Sequence, residues 1–433
     1  MSSAAPSDSD ASQAYGSGRA RYTLGLLLVM FIFGHIDRNI LNVFIEQIKA
    51  EFGASDFVMG LLAGFYFVIF YTLAGVPIAR LADRKSRKAI ILCGLTLWSV
   101  MTALQGAVRA FWHLAAARVA VGVGEATISR SAHSIIADLY PPERRALPLG
   151  IYALGGHIGI LIGFAFGGLV AERLGWRTAF VMVGLPGLVI AGIGWLTLRE
   201  PARGQSEARR ARSDTPGFGE VLRYLLKRRS FVHLNLAAAL YAGVAGTFNV
   251  WGITFMQRIH GMGLAEAGVS FGLATGIPGV LGTLTSGWLV DRLASRDRRW
   301  SIWIPALGGV AMLPFSAAFV FADDPQLGLL AYAVQVFLST FWMAPGFATG
   351  QALAKLQMRA TAAAIFLLVI NVLGLVVLPA LVGAASDLLS VQYGSAGLRY
   401  ALLGLASCNL WGVCHSLLMS RSLEADLAAA AAD

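Results

Sequence analysis

Four charged side chains lie inside two long apolar runs of this sequence. Asp37 and Arg38 are neighbours in the first run, whereas Arg118 and Glu125 lie seven residues apart in a later one. Placing a charged group inside a membrane span costs roughly 2.5 to 3.5 kcal/mol on insertion scales, so such groups usually face a protein interior or a water-filled cavity. A carboxylate that alternates between contact with arginine and burial can take up a proton on one side of a membrane and release it on the other. The pattern therefore predicts proton coupling.

The spacing in the later run places several polar groups on one face. Residues seven apart share one side of a helix, about 10 Å apart along its axis, so Arg118 and Glu125 face the same neighbour. Ser129 and His133 continue that face over the next two turns. The two runs would cross the membrane in opposite directions, which brings Asp37 and Arg118 to a similar depth.

These positions suggest separate roles for carboxylates and cations. Five residues are predicted to serve proton coupling, the two carboxylates first: Asp37, Glu125, Arg38, Arg118 and His133. Arg38 is also a candidate to contact an anionic group of a substrate, because a guanidinium can bind such a group with two hydrogen bonds. The alternative is a static ion-pair network that only fixes the packing of the two helices.

Composition indicates what kind of element positions these residues. Hydrophobic residues make up 57% of the 433 residues and charged residues only 13%, whereas a soluble domain carries about 25% charged residues. This balance excludes a soluble globule and an intrinsically disordered chain. The three cysteines lie in apolar stretches without metal-ligand spacing. The sequence therefore predicts no disulfide scaffold, no metal site and no cofactor.

Twelve apolar stretches are long enough to cross a membrane, which takes about 20 residues. They cover residues 22–44, 57–79, 89–106, 112–137, 147–170, 178–198, 231–256, 267–290, 301–321, 327–350, 360–384 and 398–420. We therefore predict an all-α membrane protein with twelve transmembrane helices, numbered here as spans 1 to 12. Spans 3, 6 and 9 contain no Asp, Glu, Lys or Arg, so they are expected to face lipid. The first 21 residues lack an apolar core, so span 1 is expected to act as the insertion signal.

The distribution of Lys and Arg predicts the orientation. Segments on the side of the N-terminus hold 25 of them and the opposite segments hold 6, while Arg38, Arg118 and Arg130 lie inside spans. Cytoplasmic loops carry the excess of positive charge, so both termini are predicted to be cytoplasmic. Arg130 lies two turns from the cytoplasmic end of its span, and its side chain is expected to extend to the membrane surface.

A polar stretch divides the spans into two halves of six. The predicted organisation is a cytoplasmic tail, an N-terminal bundle, a cytoplasmic linker, a C-terminal bundle and a second cytoplasmic tail, over residues 1–21, 22–198, 199–230, 231–421 and 422–433. Two halves with the same number of spans are typical of transporters built from internal repeats, so the two bundles are expected to be pseudo-symmetric.

The two halves repeat a charged motif after their second span. The first copy is Ala79-Arg80-Leu81-Ala82-Asp83-Arg84, and the second is Gly287-Trp288-Leu289-Val290-Asp291-Arg292, so the two aspartates lie 208 positions apart. An Asp at a helix end, followed by a basic turn, can bridge to neighbouring helix ends and hold one conformation closed. This predicts a cytoplasmic gate formed by Asp83, Arg84, Arg87, Asp291 and Arg292. The alternative for the basic residues is an ordinary cytoplasmic loop.

With these motifs the sequence resembles the major facilitator superfamily, although Ala79 and Ser86 replace glycines that are common in the first copy. Four further strings resemble the Spinster family of that superfamily: His35-Ile36-Asp37-Arg38, Arg118-Val119-Ala120-Val121-Gly122-Val123-Gly124-Glu125-Ala126, Ile136-Ala137-Asp138-Leu139-Tyr140 and Arg199-Glu200-Pro201-Ala202-Arg203-Gly204. The C-terminal half supports it only through Arg359-Ala360-Thr361-Ala362 and Ser386-Asp387. The resemblance implies a major facilitator fold and a proton-linked carrier of lysophospholipid, sphingosine phosphate or a similar amphiphile. Similarity to bacterial-type members implies the cell inner membrane.

Isolated polar and aromatic residues indicate where a substrate would bind. Spans 7, 10 and 11 carry hydrogen-bonding groups without charge, which suits a largely apolar substrate with a polar end. The predicted substrate cavity comprises Arg38, Ser129, His157, Tyr241, Asn249, Trp251, Gln335, Trp342 and Asn371. For each residue, a hydrogen bond between spans or an anchor at the membrane interface is the alternative.

Glycines 155, 159, 163 and 167 recur every fourth residue in span 5. Small residues at this interval form a helix face that another helix can approach closely. We therefore expect close packing of span 5 against another span.

The sequence thus predicts a secondary active transporter that works by alternating access and is not an enzyme. The expected partners are a small amphiphilic substrate, protons and membrane lipids, with no nucleic acid and a monomeric state. No ATP-binding, metalloprotease or serine-hydrolase motif occurs. Two alternatives stay open: a proton-linked carrier of small organic acids or drugs, and a transporter-like membrane receptor that binds without turnover.

Overall fold

A computed structural model describes residues 18–202 and 217–432, although the side chains of Val76, Asp83 and Leu356 lie outside this description. Within these residues the chain is helical and contains no strand. The helices of the N-terminal half are Gly18–Val43, Ile45–Phe52, Asp56–Ala63, Phe65–Arg84, Arg87–Gln105, Phe111–Glu125, Ile128–Leu139 and Ala146–Thr197. Those that follow are Phe218–Leu226, Arg229–His260, Leu264–Ala294, Trp300–Phe321, Pro325–Ser339, Met343–Ala352, Arg359–Val369, Leu378–Tyr393, Gly397–Ala406 and Cys408–Ala432.

Nine helical stretches in the described residues are long and apolar enough to cross a membrane. Two of them, Ala146–Thr197 and Arg359–Ala430, each contain two predicted spans. Span 4 is not among the nine, because it is divided into the shorter helices Phe111–Glu125 and Ile128–Leu139. The helices therefore cover all twelve predicted spans.

The helices are also irregular within spans 2 and 11 and at the connection between spans 5 and 6. Span 2 is interrupted at Gly64, and the helix over spans 5 and 6 turns at Gly175, whose φ of 79° favours glycine. In span 11 the residues Ile370–Val377 form a π-helix, which leads directly into Pro379. A π-helical turn within a span often marks a functional position.

Internal contacts divide the described chain into two compact units. One contains Met1–Ile40, Phe70–Gly163 and Leu174–Arg212, and the other contains Leu41–Ile69, Phe164–Arg173 and Ser213–Asp433. The division cuts through spans 1, 2 and 5 and does not coincide with the linker. Their ends opposite the N-terminus, on what we call the far side, thus pack with the C-terminal half. The two sequence halves proposed from the repeat stay a prediction.

The predicted linker and C-terminal tail contain more structure than expected. Within 199–230, Phe218–Leu226 is a helix whose Val221 and Leu225 are buried in the core of the second unit. Residues 203–216 and the tail 1–17 lie outside the described residues. The predicted tail 422–433 is, as far as residue 432, the continuation of the last helix, where Leu423 is buried. Glu424 and Asp426 interrupt the apolar pattern of this helix, and Asp426 Oδ2 accepts a hydrogen bond of 2.9 Å from the backbone of Ser230.

The glycines of span 5 form a close contact with span 1. A Cβ at Gly159 would lie 2.5 Å from the Cβ of His35, and one at Gly163 would lie 3.1 Å from the Cα of Ile36. Gly155 is equally close to Leu28 and Phe31. The prediction of a close helix contact on this face is confirmed, and the contact fixes span 1, which carries Asp37 and Arg38.

Candidate functional site

An ion pair between spans 1 and 4 lies at the centre of the candidate site. Arg38 Nη2 lies 2.7 Å from Glu125 Oε2, and the Glu125 side chain is 2% exposed. Glu125 ends the helix Phe111–Glu125, next to the break in span 4. Gly34 on span 1 faces this carboxylate, and a Cβ there would make an ordinary van der Waals contact of 3.9 Å with Glu125 Oε2.

The second carboxylate, Asp37, is also buried. The hydroxyl of Thr102 on span 3 donates a hydrogen bond to Asp37 Oδ2. The fully buried Arg118 lies with Nη1 and Nη2 3.4 Å from the backbone carbonyls of Asp37 and Arg38. The expected approach of Asp37 and Arg118 is therefore observed. Span 3 was expected to face lipid because it contains no charged residue. In the structure one of its side chains, Thr102, points into the protein and bonds Asp37.

Each carboxylate leaves one oxygen without a hydrogen-bond partner. In the part of the chain that the structure describes, Asp37 Oδ1 and Glu125 Oε1 are buried and have none. Buried polar atoms are nearly always paired, so such atoms require an explanation. The two carboxylates and the arginines at 38 and 118 carry no net charge when all four are ionised. A proton on either unpartnered oxygen would add one positive charge inside the membrane.

The other predicted residues of the N-terminal half surround this centre at different distances. Arg38 lies over the ring of Tyr71, 5.0 Å from Cζ to the ring centroid, and the Tyr71 hydroxyl is 3.4 Å from Ser129 Oγ. His133 is exposed, with Nδ1 2.6 Å from the carbonyl oxygen of Ser129. His157 is half-buried on span 5. Ser129 is thus connected to Arg38 through Tyr71, whereas a relay through His133 stays a prediction.

Arg130 differs in part from the expectation. Its side chain is exposed, but Nη1 donates a hydrogen bond of 2.9 Å to the carbonyl of Gly75 on span 2. The guanidinium therefore contacts a neighbouring span and does not simply extend to the membrane surface. Gly75 lies beside this guanidinium, and a Cβ there would make an ordinary van der Waals contact of 3.7 Å with Arg130 Nη2.

In the C-terminal half, two predicted cavity residues are packed between helices. Trp251 is fully buried, and its indole Nε1 donates to the carbonyl of Pro379 at 3.1 Å. Tyr241 is buried between Gly309 and Gly412, with its hydroxyl 3.0 Å from Ser416 Oγ. For these two residues the structure shows the hydrogen bond between spans that is the alternative interpretation, and Tyr241 also borders a small cleft of 20 Å³ that Trp342 lines. Their role in a substrate cavity stays a prediction.

Three predicted cavity residues retain polar groups suited to recognition. Asn249 Oδ1 accepts a hydrogen bond of 3.3 Å from Asn42 at the end of span 1. Gln335 is buried, and its Oε1 has no hydrogen-bond partner within the described ranges. Asn371 is half-buried in the π-helical part of span 11. Their role in a cavity stays a prediction.

On the side of the N-terminus, Arg87 is the centre of an ion-pair cluster. Its guanidinium contacts Asp138 on span 4 through Nη1 and lies 3.0 Å from Glu200 Oε1 through Nε. Glu200 also accepts hydrogen bonds from the Ser86 hydroxyl at 2.5 Å and the Arg87 backbone at 2.9 Å. Burial raises the pKa of the Glu200 carboxyl, but these hydrogen bonds outweigh burial and hold the pKa below its usual value. The expected bridging between helix ends is thus observed at Arg87.

The other predicted gate residues are less constrained. Arg84 is exposed, and the side chain of Asp83 lies outside the described residues. In the second copy Asp291 and Arg292 are exposed, and Arg292 Cζ lies 5.6 Å from the centroid of the Trp288 ring. The repeat in sequence therefore does not produce two equivalent clusters in this structure. The gating role of these residues stays a prediction.

Several functional residues were not singled out from the sequence. Thr102 and Tyr71 are single polar residues in apolar runs, and no spacing signal distinguished them. Asp138 and Glu200 occur in two of the strings that resemble the Spinster family, but the sequence assigned them no role. Arg258 and Asp56 lie just beyond the predicted spans 7 and 2 on the far side, where a charged residue is ordinary and gives no signal in the sequence.

Comparison with known proteins agrees with this architecture. The family model of the Major Facilitator Superfamily matches residues 27–419. The chain is 36% identical over 416 residues to an MFS-type efflux pump of Mycolicibacterium smegmatis, covering 96% of each chain. It is 32% identical to protein spinster homolog 3 of Danio rerio, covering 86% of this chain and 78% of the relative. The crystal structure of a bacterial homolog of the human lysosomal transporter Spinster, inward-facing and unoccupied, superposes with a TM-score of 0.86 at 27% identity, covering 95% and 99%.

The chain therefore belongs to the Major Facilitator Superfamily, whose members are integral membrane transporters and not enzymes. Within this superfamily it is of the Spinster type. The predicted fold class and the predicted family are confirmed. Membrane transport is likewise confirmed as the general function.

Proposed function

We propose that the protein is a proton-coupled secondary transporter that carries a lipid-like amphiphile, such as a lysophospholipid or a sphingosine-phosphate-like molecule, by alternating access. The observation that carries the proposal is the pair of buried carboxylates, Asp37 and Glu125, each with one unpartnered oxygen. Arg38 and Arg118 neutralise them. Protonating Glu125 removes the negative charge that holds Arg38, so proton uptake and release would alternately weaken and restore the link between spans 1 and 4.

The amphiphile rests on the Spinster type of the chain and on uncharged groups in the C-terminal half. Gln335 with its unpartnered Oε1, together with Asn249 and Asn371, could bind the polar end of a substrate. Arg38, whose side chain is 32% exposed, could contact an anionic headgroup when Glu125 is protonated. We further propose the inner membrane, with both termini cytoplasmic, on the charge distribution of the loops.

The experiment is uptake into proteoliposomes that contain a pH-sensitive dye, with a lysophospholipid, a drug-like cation and an organic acid as substrates. Wild type is compared with Glu125→Gln and with the matched control Glu143→Gln, which changes an exposed glutamate outside the site. We expect lysophospholipid to move protons in wild type and in the control. Glu125→Gln should abolish proton movement while substrate binding is retained.

Two other results would replace the proposal. Normal coupling in Glu125→Gln would show that the carboxylate is structural. Proton-linked movement of the drug-like cation alone would favour the second candidate, a drug exporter, which the similarity to the efflux pump of Mycolicibacterium smegmatis supports. Binding without counterflow would indicate a receptor.

A further inference from the structure

A second cluster of charged residues lies on the far side, away from both the candidate proton site and Arg87. Arg258, in the last turn of span 7, binds Asp56 with two hydrogen bonds, Nη1 to Oδ2 at 2.7 Å and Nη2 to Oδ1 at 3.0 Å. Nη2 also lies 2.5 Å from Glu46 Oε1. We call Glu46, Lys49, Asp56, Arg258, Ser386 and Asp387 the far-side cluster.

Asp56 is the residue on which these contacts converge. Its side chain is 1% exposed and is also bound by Lys49 Nζ at 2.5 Å and by the Ser386 hydroxyl at 2.6 Å. Two cations and a hydroxyl thus saturate one buried carboxylate. Guanidinium and carboxylate groups in such a planar, two-bond arrangement form one of the stronger pairs in proteins.

Asp387, at the end of span 11, adds a further link to the start of span 2. Its Oδ1 and Oδ2 accept hydrogen bonds of 2.9 and 2.8 Å from the backbone amides of Asp56 and Phe57. These amides begin the helix Asp56–Ala63, whose first N–H groups have no partner within the helix. Span 11 therefore caps the first helix of span 2.

Backbones meet where this helix passes span 11. A Cβ at Gly60 would lie 2.6 Å from the carbonyl of Pro379, and one at Gly64 would lie 2.6 Å from the carbonyl of Leu375. A Cβ at Gly383 would lie 2.3 Å from the carbonyl of Asp56. The contact ends at Gly64, where span 2 is interrupted, and it reaches the π-helical part of span 11.

The cluster joins spans 1 and 2 of the N-terminal half to spans 7 and 11 of the C-terminal half. A transporter that works by alternating access must separate its halves on each side in turn. All these contacts lie at one end of their spans, and they involve none of the residues of the candidate proton site.

We propose that Arg258 is a positioning residue of the transport cycle: its pairing with Asp56 holds the far side closed, and its release allows that side to open. This inference rests on the proposed alternating-access function. Burial of the pair and the capping by Asp387 make closure specific, because on separation Asp56 keeps Lys49 but loses the two-bond guanidinium, and Asp387 loses the amides that it caps.

The test measures the distance across the far side by pulsed electron paramagnetic resonance. Cys93, Cys408 and Cys414 are first replaced by serine, and spin labels are attached to cysteines introduced at the exposed Trp112 and Val391. The variants are Arg258→Ala, Arg258→Lys and Asp56→Asn. The matched control is Arg299→Ala, which removes an exposed ion pair with Glu424 at 3.2 Å.

We expect Arg258→Ala and Asp56→Asn to shift the distance distribution to longer values, Arg258→Lys to shift it less, and Arg299→Ala to leave it unchanged. A merely structural pair would lower thermal stability but keep the short distance, and that result overturns the proposal. Asp56→Asn keeps the size of the side chain, so it decides the question alone if Arg258→Ala does not fold.

The readout uses no substrate and no proton gradient, so it separates this inference from the proposed function. An opened far side in Asp56→Asn together with normal coupling in Glu125→Gln would retain Arg258 and discard the proton site. An unchanged distance in Asp56→Asn together with lost coupling in Glu125→Gln would retain the proton site and discard the role of Arg258. Substrate counterflow provides a further check, since a far side that fails to close should slow exchange several-fold.

Discussion

The guanidinium of Arg38 on span 1 and the carboxylate of Glu125 on span 4 lie 2.7 Å apart, although 87 residues separate them in the chain. Glu125 is buried, and its second oxygen has no hydrogen-bond partner among the described residues. One half of the carboxylate is therefore held by a cation, and the other half is available to a proton. This relationship leads to the first prediction.

Replacing only one member of the pair should destabilise the protein more than replacing both. Arg38→Leu leaves the Glu125 carboxylate buried beside fewer cations, and breaking a buried pair in this way costs about 3 to 5 kcal/mol. The double variant Arg38→Leu, Glu125→Leu should recover part of that loss. Thermal unfolding in detergent of the two single variants and the double variant measures the coupling. Strictly additive losses would mean that the two side chains do not act as a pair.

Thr102→Val should reduce coupled transport several-fold while preserving the fold. The substitution keeps the shape of the side chain but removes the hydroxyl that donates to Asp37. Thr96→Val is the matched control on the same helix, because the Thr96 hydroxyl bonds only the carbonyl of Leu92, at 2.8 Å. Proton movement in proteoliposomes compares the two variants. Equal activity in both would remove Thr102 from the site.

Gly159→Ala should destabilise the protein, whereas Gly150→Ala on the same helix should stabilise it slightly. A Cβ at 159 would lie 2.6 Å from the carbonyl of Ile32 on span 1, but one at 150 would have nothing within 4 Å. Alanine in an open helical position is favoured over glycine by roughly 0.5 to 1 kcal/mol. Melting temperatures should therefore move in opposite directions. A rise in both would mean that span 1 can shift away from span 5 without loss.

Glu200→Gln should lower the melting temperature near neutral pH, and this loss should become smaller at acidic pH. Because the pKa of Glu200 lies below its ordinary value of 4.5 in the folded protein, its contribution is present above that value. It is lost as the pH falls through the lower folded pKa. The melting temperature of wild type and Glu200→Gln should differ at pH 7 and converge on acidification.

Glu143→Gln is the control, since Glu143 is exposed. A constant difference between wild type and Glu200→Gln at every pH would show that the charge of Glu200 does not stabilise the Arg87 cluster.

The fold and the two spans of the proton site could be predicted because their signals are local. A charged residue in an apolar run is visible in sequence, and the seven-residue spacing of Arg118 and Glu125 fixes a shared helix face. The sequence could not determine which arginine pairs with Glu125, because that depends on how spans 1 and 4 rotate. The close contacts of Gly159 and Gly163 constrain how span 1 packs, and the sequence alone does not show them.

The far-side cluster could not be predicted for a related reason. Its charged residues lie near helix ends, where charged residues are common: Glu46, Asp56, Arg258 and Asp387. The numbers of residues between them do not follow the repeat of a helix, so the sequence does not indicate that they meet. For Trp251 and Tyr241 the sequence gives a signal, but that signal has two possible meanings. Both appeared suited to a cavity as isolated polar aromatics, but a hydrogen bond to a neighbouring span satisfies the same polar atom, and only packing distinguishes the two cases.

The broken, charged span 4 also has a consequence during biosynthesis. Its two helices are each too short to cross a membrane, and Arg118, Glu125 and Arg130 make it a poor segment for the translocon to release into lipid by itself. Arg38 leaves the ribosome 80 residues before Arg118. We therefore expect Arg38 on span 1 to meet its partner only after span 4 has been synthesised, because Glu125 follows 87 residues later. The residues that we assign to proton movement would then also link the insertion of span 4 to that of span 1.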